Sequence, residues 1–261
     1  MIKLITTDMD GTLLDENGNL PKNFFPTIEK LNEKNIKFVI ASGRPYSTLY
    51  ENFKPISDEL YFICDNGAYI VEPGKDPIIT CINKKIVNDI LKACEDIPDI
   101  ILLVCGIKHT YHKECPKEFA DDIRKYYLSC KTVDSFQDIN DDIFKISIFD
   151  ARGSKENSYN IINSMFGDIC KVVVSAHNWI DINNIEVNKG NALIKLQKDC
   201  NISYDETMVF GDFYNDIEML QSAHYSFVME NANEDMRQYG NFVAKSNTEN
   251  GVINAIEEYV L

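Results

Sequence analysis

The first third of the chain alternates between short apolar runs and longer amphipathic stretches. The apolar runs at 2–8, 36–41 and 60–64 have the length and composition of buried strands. A helix is predicted between the first two runs, at about 23–34, and Pro45 suits the first turn of another helix after the second run. Strands that alternate with helices indicate a parallel sheet with helices on both of its faces.

The middle of the chain has a different pattern. Apolar residues recur at helical spacing between Ile86 and Ile97, which predicts a helix with one buried face. The runs that follow predict strands at 100–105, 130–136, 143–149 and 170–175, and helices near 116–128 and 154–166. A segment of about a hundred residues with mixed elements is long enough to form a compact α+β domain of its own.

The last third of the chain returns to alternation. Here the pattern predicts a helix from Lys189, a strand at 207–210, a helix from about Asn215, a strand at 225–229 and a final helix near 249–259. The simplest assembly is an α/β fold in which one domain interrupts another. We therefore predict a discontinuous parallel-sheet core over residues 1–82 and 187–261, with an inserted domain of mixed α and β structure over 83–186.

Charge and composition argue against several classes of partner. The 261 residues carry a formal charge of −15, which opposes nucleic acid or an anionic membrane as the main partner. An anionic substrate would need a bound cation or local basic residues. Hydrophobic residues make up 44% of the chain, enough for packed cores, but no run reaches the ~18 apolar residues of a transmembrane helix.

The eight cysteines form no CxxC pair, and the first residues lack the basic and apolar regions of a secretory signal. Reduced, mostly buried thiols and a cytoplasmic location are therefore expected. Residues of zinc-binding type do come close together at Cys105, His109, His112 and Cys115. Their separation lacks the paired spacing of structural zinc sites, and strand alternation would send the two histidines to opposite faces, so we predict structural roles for them.

Polar residues follow the predicted strands at the points where the strands end. They are Asp8 and Asp10 after the first strand, Ser42 after the second and Asp212 after the strand at 207–210. Ligands of open α/β folds collect at the carboxyl ends of the strands. In an extended backbone residues i and i+2 point the same way, so Asp8 and Asp10 can share one site. Their mutual repulsion is accounted for by a bound cation or by a role in proton transfer.

Carboxylates, a hydroxyl and a lysine at one edge of a sheet suit Mg²⁺ and a phosphate group. Asp8 is the predicted nucleophile, which would attack phosphorus and form an aspartyl-phosphate. Asp10 is the predicted acid/base, which would protonate the leaving alkoxide and later deprotonate the attacking water. The remaining predicted contacts are Mg²⁺ with Asp8, Asp212 and a backbone carbonyl near Asp10, and phosphoryl oxygens with Ser42, Lys189 and backbone amides at Gly43.

Each of these residues taken alone also has a structural interpretation. Ser42 and Gly43 suit a strand-to-helix turn, and a lysine such as Lys189 is usually solvated. Asp212 and Asp216 can cap the N-terminus of a helix, where acidic residues are stabilised. Arg44 either pairs with a structural carboxylate or meets the substrate, and the sequence leaves both open. The joint placement at strand ends favours the functional interpretation.

Four ordered segments resemble the sequence motifs of the haloacid dehalogenase-like hydrolases. They are DMDGTLL at 8–14, ASGRP at 41–45, VNKGNAL at 187–193 and GDFYNDIEM at 211–219. Two further segments, NANE at 231–234 and SNTENGV at 246–252, are similar to the closing segments of the Cof-type (subfamily IIB) phosphatases. The resemblance covers both flanks of the chain and leaves the inserted segment without a transferable motif.

The resemblance implies a Rossmann-like core with an inserted cap, and Mg²⁺-dependent hydrolysis of small phosphorylated metabolites such as sugar phosphates. It implies metal contacts at Asp216 and at the Asp10 carbonyl, in addition to Asp8 and Asp212. It also implies a phosphate contact from Asn215. Thr12 and Arg44 are candidates for supporting contacts or substrate contacts.

Two other functions compete with the phosphatase prediction. A phosphohexomutase would use the same aspartate nucleophile, and nothing in the inserted segment argues against it. A signalling module that stores an aspartyl-phosphate, like a response-regulator receiver, should lack an acid/base two residues after its nucleophile, so Asp10 argues against that reading. No feature of the sequence points to a particular oligomeric state.

Overall fold

The computed structural model describes residues 1–117, 119–120 and 130–261, and it divides the chain into two compact units. We call residues 1–78 and 188–261 the core unit, and residues 79–187 the inserted unit. The predicted helix near 116–128 falls largely outside the described residues. None of the helices within the described ranges is both long and apolar enough to cross a membrane.

The N-terminal part of the core unit begins with the predicted alternation. Its elements are β1 (Leu4–Asp8), α1 (Phe24–Glu33), β2 (Lys37–Ala41), α2 (Tyr46–Asn52), β3 (Tyr61–Cys64), β4 (Tyr69–Val71) and β5 (Ile78–Ile79), the last of which reaches the border of the inserted unit. Every residue of β1 is buried, as expected of a central strand in a parallel sheet. Pro45 lies directly before α2, where its missing N–H costs no helical hydrogen bond.

The inserted unit contains a sheet of six strands in the order β10-β11-β9-β6-β7-β8. Its elements are α3 (Lys84–Cys94), β6 (Ile100–Gly106), β7 (Thr110–His112), β8 (Cys130–Thr132), β9 (Ile143–Asp150), α4 (Ser158–Phe166), β10 (Cys170–Ala176) and β11 (Trp179–Asn184). Apolar residues of α3 and α4 pack with alternate residues of these strands in one core. The pairing is antiparallel except for β7 with β8, which gives the mixed α and β structure that was predicted.

Two predictions in the inserted unit were wrong at their borders. The strand expected at 130–136 ends at Thr132, and a 3₁₀ turn follows at Phe136–Asp138, because the Ser135 hydroxyl accepts a hydrogen bond from the Gln137 N–H and starts that turn. The helix expected from residue 154 begins at Ser158, since the buried Asp150 carboxylate accepts its backbone N–H.

The C-terminal part of the core unit completes its sheet. Its elements are α5 (Lys189–Cys200), β12 (Thr207–Gly211), α6 (Ile217–Leu220), β13 (Tyr225–Met229), β14 (Phe242–Ala244) and α7 (Gly251–Tyr259). The strand order is β14-β13-β12-β1-β2-β3-β4-β5, parallel from β14 to β3. Helices α1, α2 and α7 pack on one face, and α5 and α6 on the other. This architecture confirms the predicted parallel sheet with helices on both faces.

Candidate active site

The carboxyl ends of three neighbouring strands bring the predicted residues to one edge of the core sheet. β1 pairs with β12 on one side and with β2 on the other, where Asp8 is in register with Ala41. Asp8 therefore ends the central strand, while Ser42 follows β2 and Asp212 follows β12. Since the strands are parallel, residues far apart in the sequence become neighbours at this edge.

Lys189 is completely buried and is the first residue of α5. Its Nζ donates hydrogen bonds to Asp8 Oδ1 at 2.5 Å and to Asp216 Oδ1 at 2.7 Å. The preceding Asn188 caps the helix, because its side chain accepts the N–H of Asn191. The lysine is therefore an internal counter-charge to two carboxylates, and its interpretation as a solvated residue was wrong.

Asp216 shapes the loop that carries Asp212. Its Oδ2 accepts the backbone N–H groups of Asp212 at 3.1 Å and Phe213 at 3.2 Å, so this fully buried carboxylate closes the turn after β12. On the other side of the site, Thr12 Oγ1 donates to Asp212 Oδ1 at 2.8 Å. Contacts from two separate loops thus fix the position of Asp212, as expected of a carboxylate that binds a ligand.

Asp8, Asp212 and Asp216 form a group that could hold a metal ion. Each offers a carboxylate oxygen within 4.8 Å of the others, and within the described ranges no other set of three His, Cys, Asp or Glu residues does so. When all three are ionised against the single ammonium of Lys189, two negative charges remain uncompensated. Hard oxygen ligands with such an excess charge fit a divalent cation. The group that was considered for zinc, 105–115, is not brought together in this way.

Burial controls the protonation of the group. Burial raises the pKa of Asp8 from 3.8 to about 7, although Lys189 opposes this shift. It also raises the pKa of Asp212 to about 6, against the hydrogen bond from Thr12. For Lys189 burial disfavours the charged form, but Asp216 and Asp8 outweigh it, and the pKa of the amine rises. A cation at the three carboxylates would offset the cost of ionising the buried Asp8 carboxylate.

Asp10 lies apart from this buried group. Its side chain is 59% exposed, and it receives two hydrogen bonds from Arg44, from Nη2 to Oδ1 at 2.6 Å and from Nε to Oδ2 at 3.1 Å. Arg44 therefore pairs with the carboxylate of the predicted acid/base, a partner that the sequence left open. The Asp10 carboxylate is accordingly separate from the three that could hold a metal ion.

The remaining predicted residues line the loops after β2 and β12. Ser42 is buried, and its Oγ accepts the Arg44 N–H at 3.2 Å, so the hydroxyl also forms the turn that was considered for it. Asn215 Nδ2 donates to the side-chain oxygen of Asn66 at 3.1 Å, and Asn66 lies beside Gly43. Sequence reasoning missed Asn66; its position directly after the end of β3 was the available signal.

Gly11 is required by the geometry of this site. Its φ of +83° favours glycine, and a Cβ at this position would overlap the carboxylate of Asp212. Any other residue at position 11 would therefore keep the turn after β1 farther from the loop after β12.

Known proteins resemble this chain along nearly its whole length. The model of the haloacid dehalogenase-like hydrolase family matches residues 5–256. A 5-amino-6-(5-phospho-D-ribitylamino)uracil phosphatase from Escherichia coli (strain K12) is 32% identical, and the match covers 98% of this chain and 96% of the relative. A crystal structure from Streptococcus mutans UA159 is 32% identical with a TM-score of 0.83, covering 100% of this chain and 99% of that one. A sugar phosphatase of the same superfamily, subclass IIB, shares the fold at 23% identity and a TM-score of 0.79, with 98% of each chain covered.

Proposed function

Because the chain belongs to the haloacid dehalogenase-like hydrolases and is a Cof-type phosphatase, we propose that it hydrolyses small phosphomonoesters with Mg²⁺ through an aspartyl-phosphate on Asp8. The observation that carries this proposal is the buried contact of Lys189 with Asp8 and Asp216, beside the carboxylate of Asp212. Burying so many charges is costly unless they are paired or bind an ion. In a phosphoryl-transfer site these groups would serve as the nucleophile, the metal ligands and a cationic phosphate contact.

The metal would be held by the carboxylates of Asp8, Asp212 and Asp216 and by the backbone carbonyl of Asp10. When bound, Mg²⁺ supplies positive charge to the phosphoryl oxygens and so lowers the barrier to attack by an anion. Lys189 adds a fixed ammonium at the same place. Its location at the buried end of the site supports a role as a phosphate contact as well as a partner of Asp8.

In the first half-reaction an oxygen of Asp8 attacks phosphorus, the bond to the ester oxygen breaks, and Asp10 gives its proton to the leaving alkoxide. In the second, Asp10 takes a proton from a water that attacks phosphorus, and the Asp8 carboxylate and inorganic phosphate are released. The 59% exposure of the Asp10 side chain is consistent with access of the water that Asp10 deprotonates in the second half-reaction.

The phosphoryl group is proposed to contact Ser42, Lys189, Asn215 and the backbone at Gly43. Ser42 and Gly43 are at the end of β2, and Asn215 is joined to Asn66 next to Gly43, so these groups belong to adjoining loops. Thr12 is proposed as a support for Asp212, since its hydroxyl is already bonded to that carboxylate.

We propose that the inserted unit is the cap that selects the substrate, and that the substrate is a sugar phosphate or a similar small phosphorylated metabolite. The Escherichia coli relative acts, by its name, on a phosphorylated ribitylamino compound, which supports this class. The cysteine pattern of the sequence favours a reducing compartment, for which we propose the cytoplasm.

The proposal is tested by a screen of phosphomonoesters for inorganic phosphate release, with Mg²⁺ and with EDTA. We expect release that requires Mg²⁺, from at least one sugar phosphate or related ester. Isomerised hexose phosphate without phosphate release would instead identify a phosphohexomutase. Release that is equally fast in EDTA would contradict the proposed metal dependence.

A further inference from the structure

Two asparagine side chains from the C-terminal part of the core unit bind the turn that follows β1. Asn231 Nδ2 donates to the carbonyl oxygen of Gly11 at 2.8 Å, and Asn247 Nδ2 donates to the carbonyl oxygen of Leu14 at 2.8 Å. The backbone N–H of Asn247 also donates to Asn231 Oδ1 at 3.1 Å. This bond fixes the orientation of the Asn231 amide, so that its NH₂ group faces Gly11.

The turn that these asparagines hold begins with the proposed acid/base. The backbone N–H groups of Thr12, Leu13 and Leu14 all turn inward to the carbonyl of Met9. The carbonyl of Gly11 is instead bound by Asn231, so the asparagine fixes the Gly11–Thr12 peptide unit, which begins one residue after Asp10. Because Gly11 links this peptide unit to Asp10, a change in its orientation would also move the backbone that carries the Asp10 carboxylate.

Asn231 and Asn247 follow strands that are not direct neighbours of β1 in the sheet. Asn231 follows β13 and Asn247 follows β14, whereas the turn follows β1, and β12 lies between β13 and β1. The bond from Asn231 to Gly11 thus crosses one intervening strand end. It links the acid/base turn to the outer strands of the sheet, independently of the contact between Thr12 and Asp212.

Because Asn231 is exposed, a role in positioning Asp10 can be distinguished from a role in stabilising the fold. Because its side chain is exposed, loss of this one hydrogen bond should lower the melting temperature only slightly. A displacement of a catalytic group by about 1 Å can, however, lower the rate by about 100-fold. A residue of this kind should therefore affect turnover much more than stability.

We propose that Asn231 is a positioning residue for the acid/base Asp10, and that Asn247 supports it by holding the Asn231 amide and the end of the same turn. This inference rests on the proposed function, since it assumes that Asp10 protonates the leaving group. Asn231 touches neither substrate nor metal in this account. It acts only through the peptide unit of Gly11.

The test compares Asn231→Asp with Asn241→Asp. The first variant loses the donor to Gly11 but keeps the acceptor for Asn247. The control loses an equivalent bond, since the exposed Asn241 Nδ2 donates to the carbonyl of His224 at 2.8 Å, away from the site. For each protein kcat/KM is measured with p-nitrophenyl phosphate, whose leaving group needs little protonation, and with the alkyl phosphomonoester that the wild type hydrolyses fastest.

We expect Asn231→Asp to lower kcat/KM for the alkyl ester by about 10-fold to 100-fold and to lower it clearly less for the aryl ester. Asn241→Asp should leave both kcat/KM values near those of the wild type. It should change the melting temperature by about as much as Asn231→Asp does. Asn247→Asp, a second variant of the same turn, should show a smaller loss with the same preference. It keeps the inference testable if Asn231→Asp does not fold.

Equal losses for the two esters in both turn variants would overturn the inference, and so would an unchanged kcat/KM in both. In either case an active wild type leaves the proposed function intact. A wild type that hydrolyses neither ester would overturn the proposed function, and this inference with it.

Discussion

Lys189 Nζ donates a 2.5 Å hydrogen bond to Asp8 Oδ1 from a position that solvent does not reach. The same nitrogen binds Asp216 at 2.7 Å, so one buried cation serves two buried carboxylates. Such an arrangement is weak evidence for stability, because desolvation offsets most of the attraction. It fits the proposed role of Asp8 as a nucleophile, which must be ionised, oriented and close to a positive charge.

Replacing Lys189 with methionine should destabilise the metal-free protein. The change leaves Asp8 and Asp216 buried without their counter-charge, and loss of one member of a buried ion pair costs about 3–5 kcal/mol. Urea denaturation in EDTA measures the effect. Lys195→Met is the control, since Lys195 is an exposed residue of the same helix and should change the unfolding free energy little. Equal losses in the two variants would contradict the role of Lys189.

In the metal-free protein, the contribution of Asp8 to stability should fall as the pH rises from 3.8 to about 7. Because burial raises the pKa of Asp8 to about 7, the folded state holds a proton over this interval that the unfolded chain has already lost. Stability from this group is complete below the unfolded pKa and is lost as the pH passes the folded pKa. Melting temperatures in EDTA test this, and in Asp8→Asn the fall should be shallower. An equally steep fall in that variant would assign the effect to other groups.

Mg²⁺ should stabilise the wild type and should stabilise Asp212→Asn much less. In the proposed site the cation would bind the folded state at Asp8, Asp212 and Asp216, and a ligand at 100 times its dissociation constant adds about 2.7 kcal/mol of stability. Thermal shifts are measured with Mg²⁺ and with NaCl at equal ionic strength. Asp205→Asn removes an exposed carboxylate and should respond like the wild type. A full Mg²⁺ response in Asp212→Asn would place the ion elsewhere.

Gly11→Ala should abolish most of the Mg²⁺ response and of the activity, because the added Cβ overlaps the Asp212 carboxylate. The matched control is Gly18→Ala. Gly18 has a similar φ of +77°, but a Cβ there would meet nothing within 4 Å, so both variants carry about 1–2 kcal/mol of backbone strain and only one disturbs the site. Similar losses of activity in the two variants would show that strain alone is responsible.

The sequence predicts correctly those structural features that depend on one short segment of the chain. β1 and β13 are short runs of mostly buried residues, rich in apolar and β-branched side chains, in a sheet covered on both faces, so their borders could be predicted to within a few residues. The same holds for Asp8, Ser42 and Asp212, which directly follow predicted strands. Parallel pairing then makes neighbours of strand ends, and the candidate site follows from that rule.

The features that were missed depend on contacts between distant segments. Nothing near Arg44 in the sequence indicates that its partner is Asp10, which comes 34 residues earlier. The bond from Asn231 to Gly11 joins residues 220 positions apart. In the inserted unit the cause is nearer in sequence but still lies outside the helix: α4 starts later than predicted because the carboxylate of Asp150, eight residues before Ser158, accepts its N–H. The pattern of neighbouring residues in the sequence gives no information about such hydrogen-bonded pairs.

In the proposed mechanism Asp8 becomes phosphorylated during turnover. The most direct measurement is borohydride trapping with an active substrate and Mg²⁺, because borohydride reduces an aspartyl-phosphate to homoserine, followed by peptide mass spectrometry. We expect homoserine at position 8 in the wild type, dependent on substrate, and none in Asp8→Asn, which should also be inactive. Homoserine at another aspartate, or hydrolysis by Asp8→Asn at the wild-type rate, would contradict it.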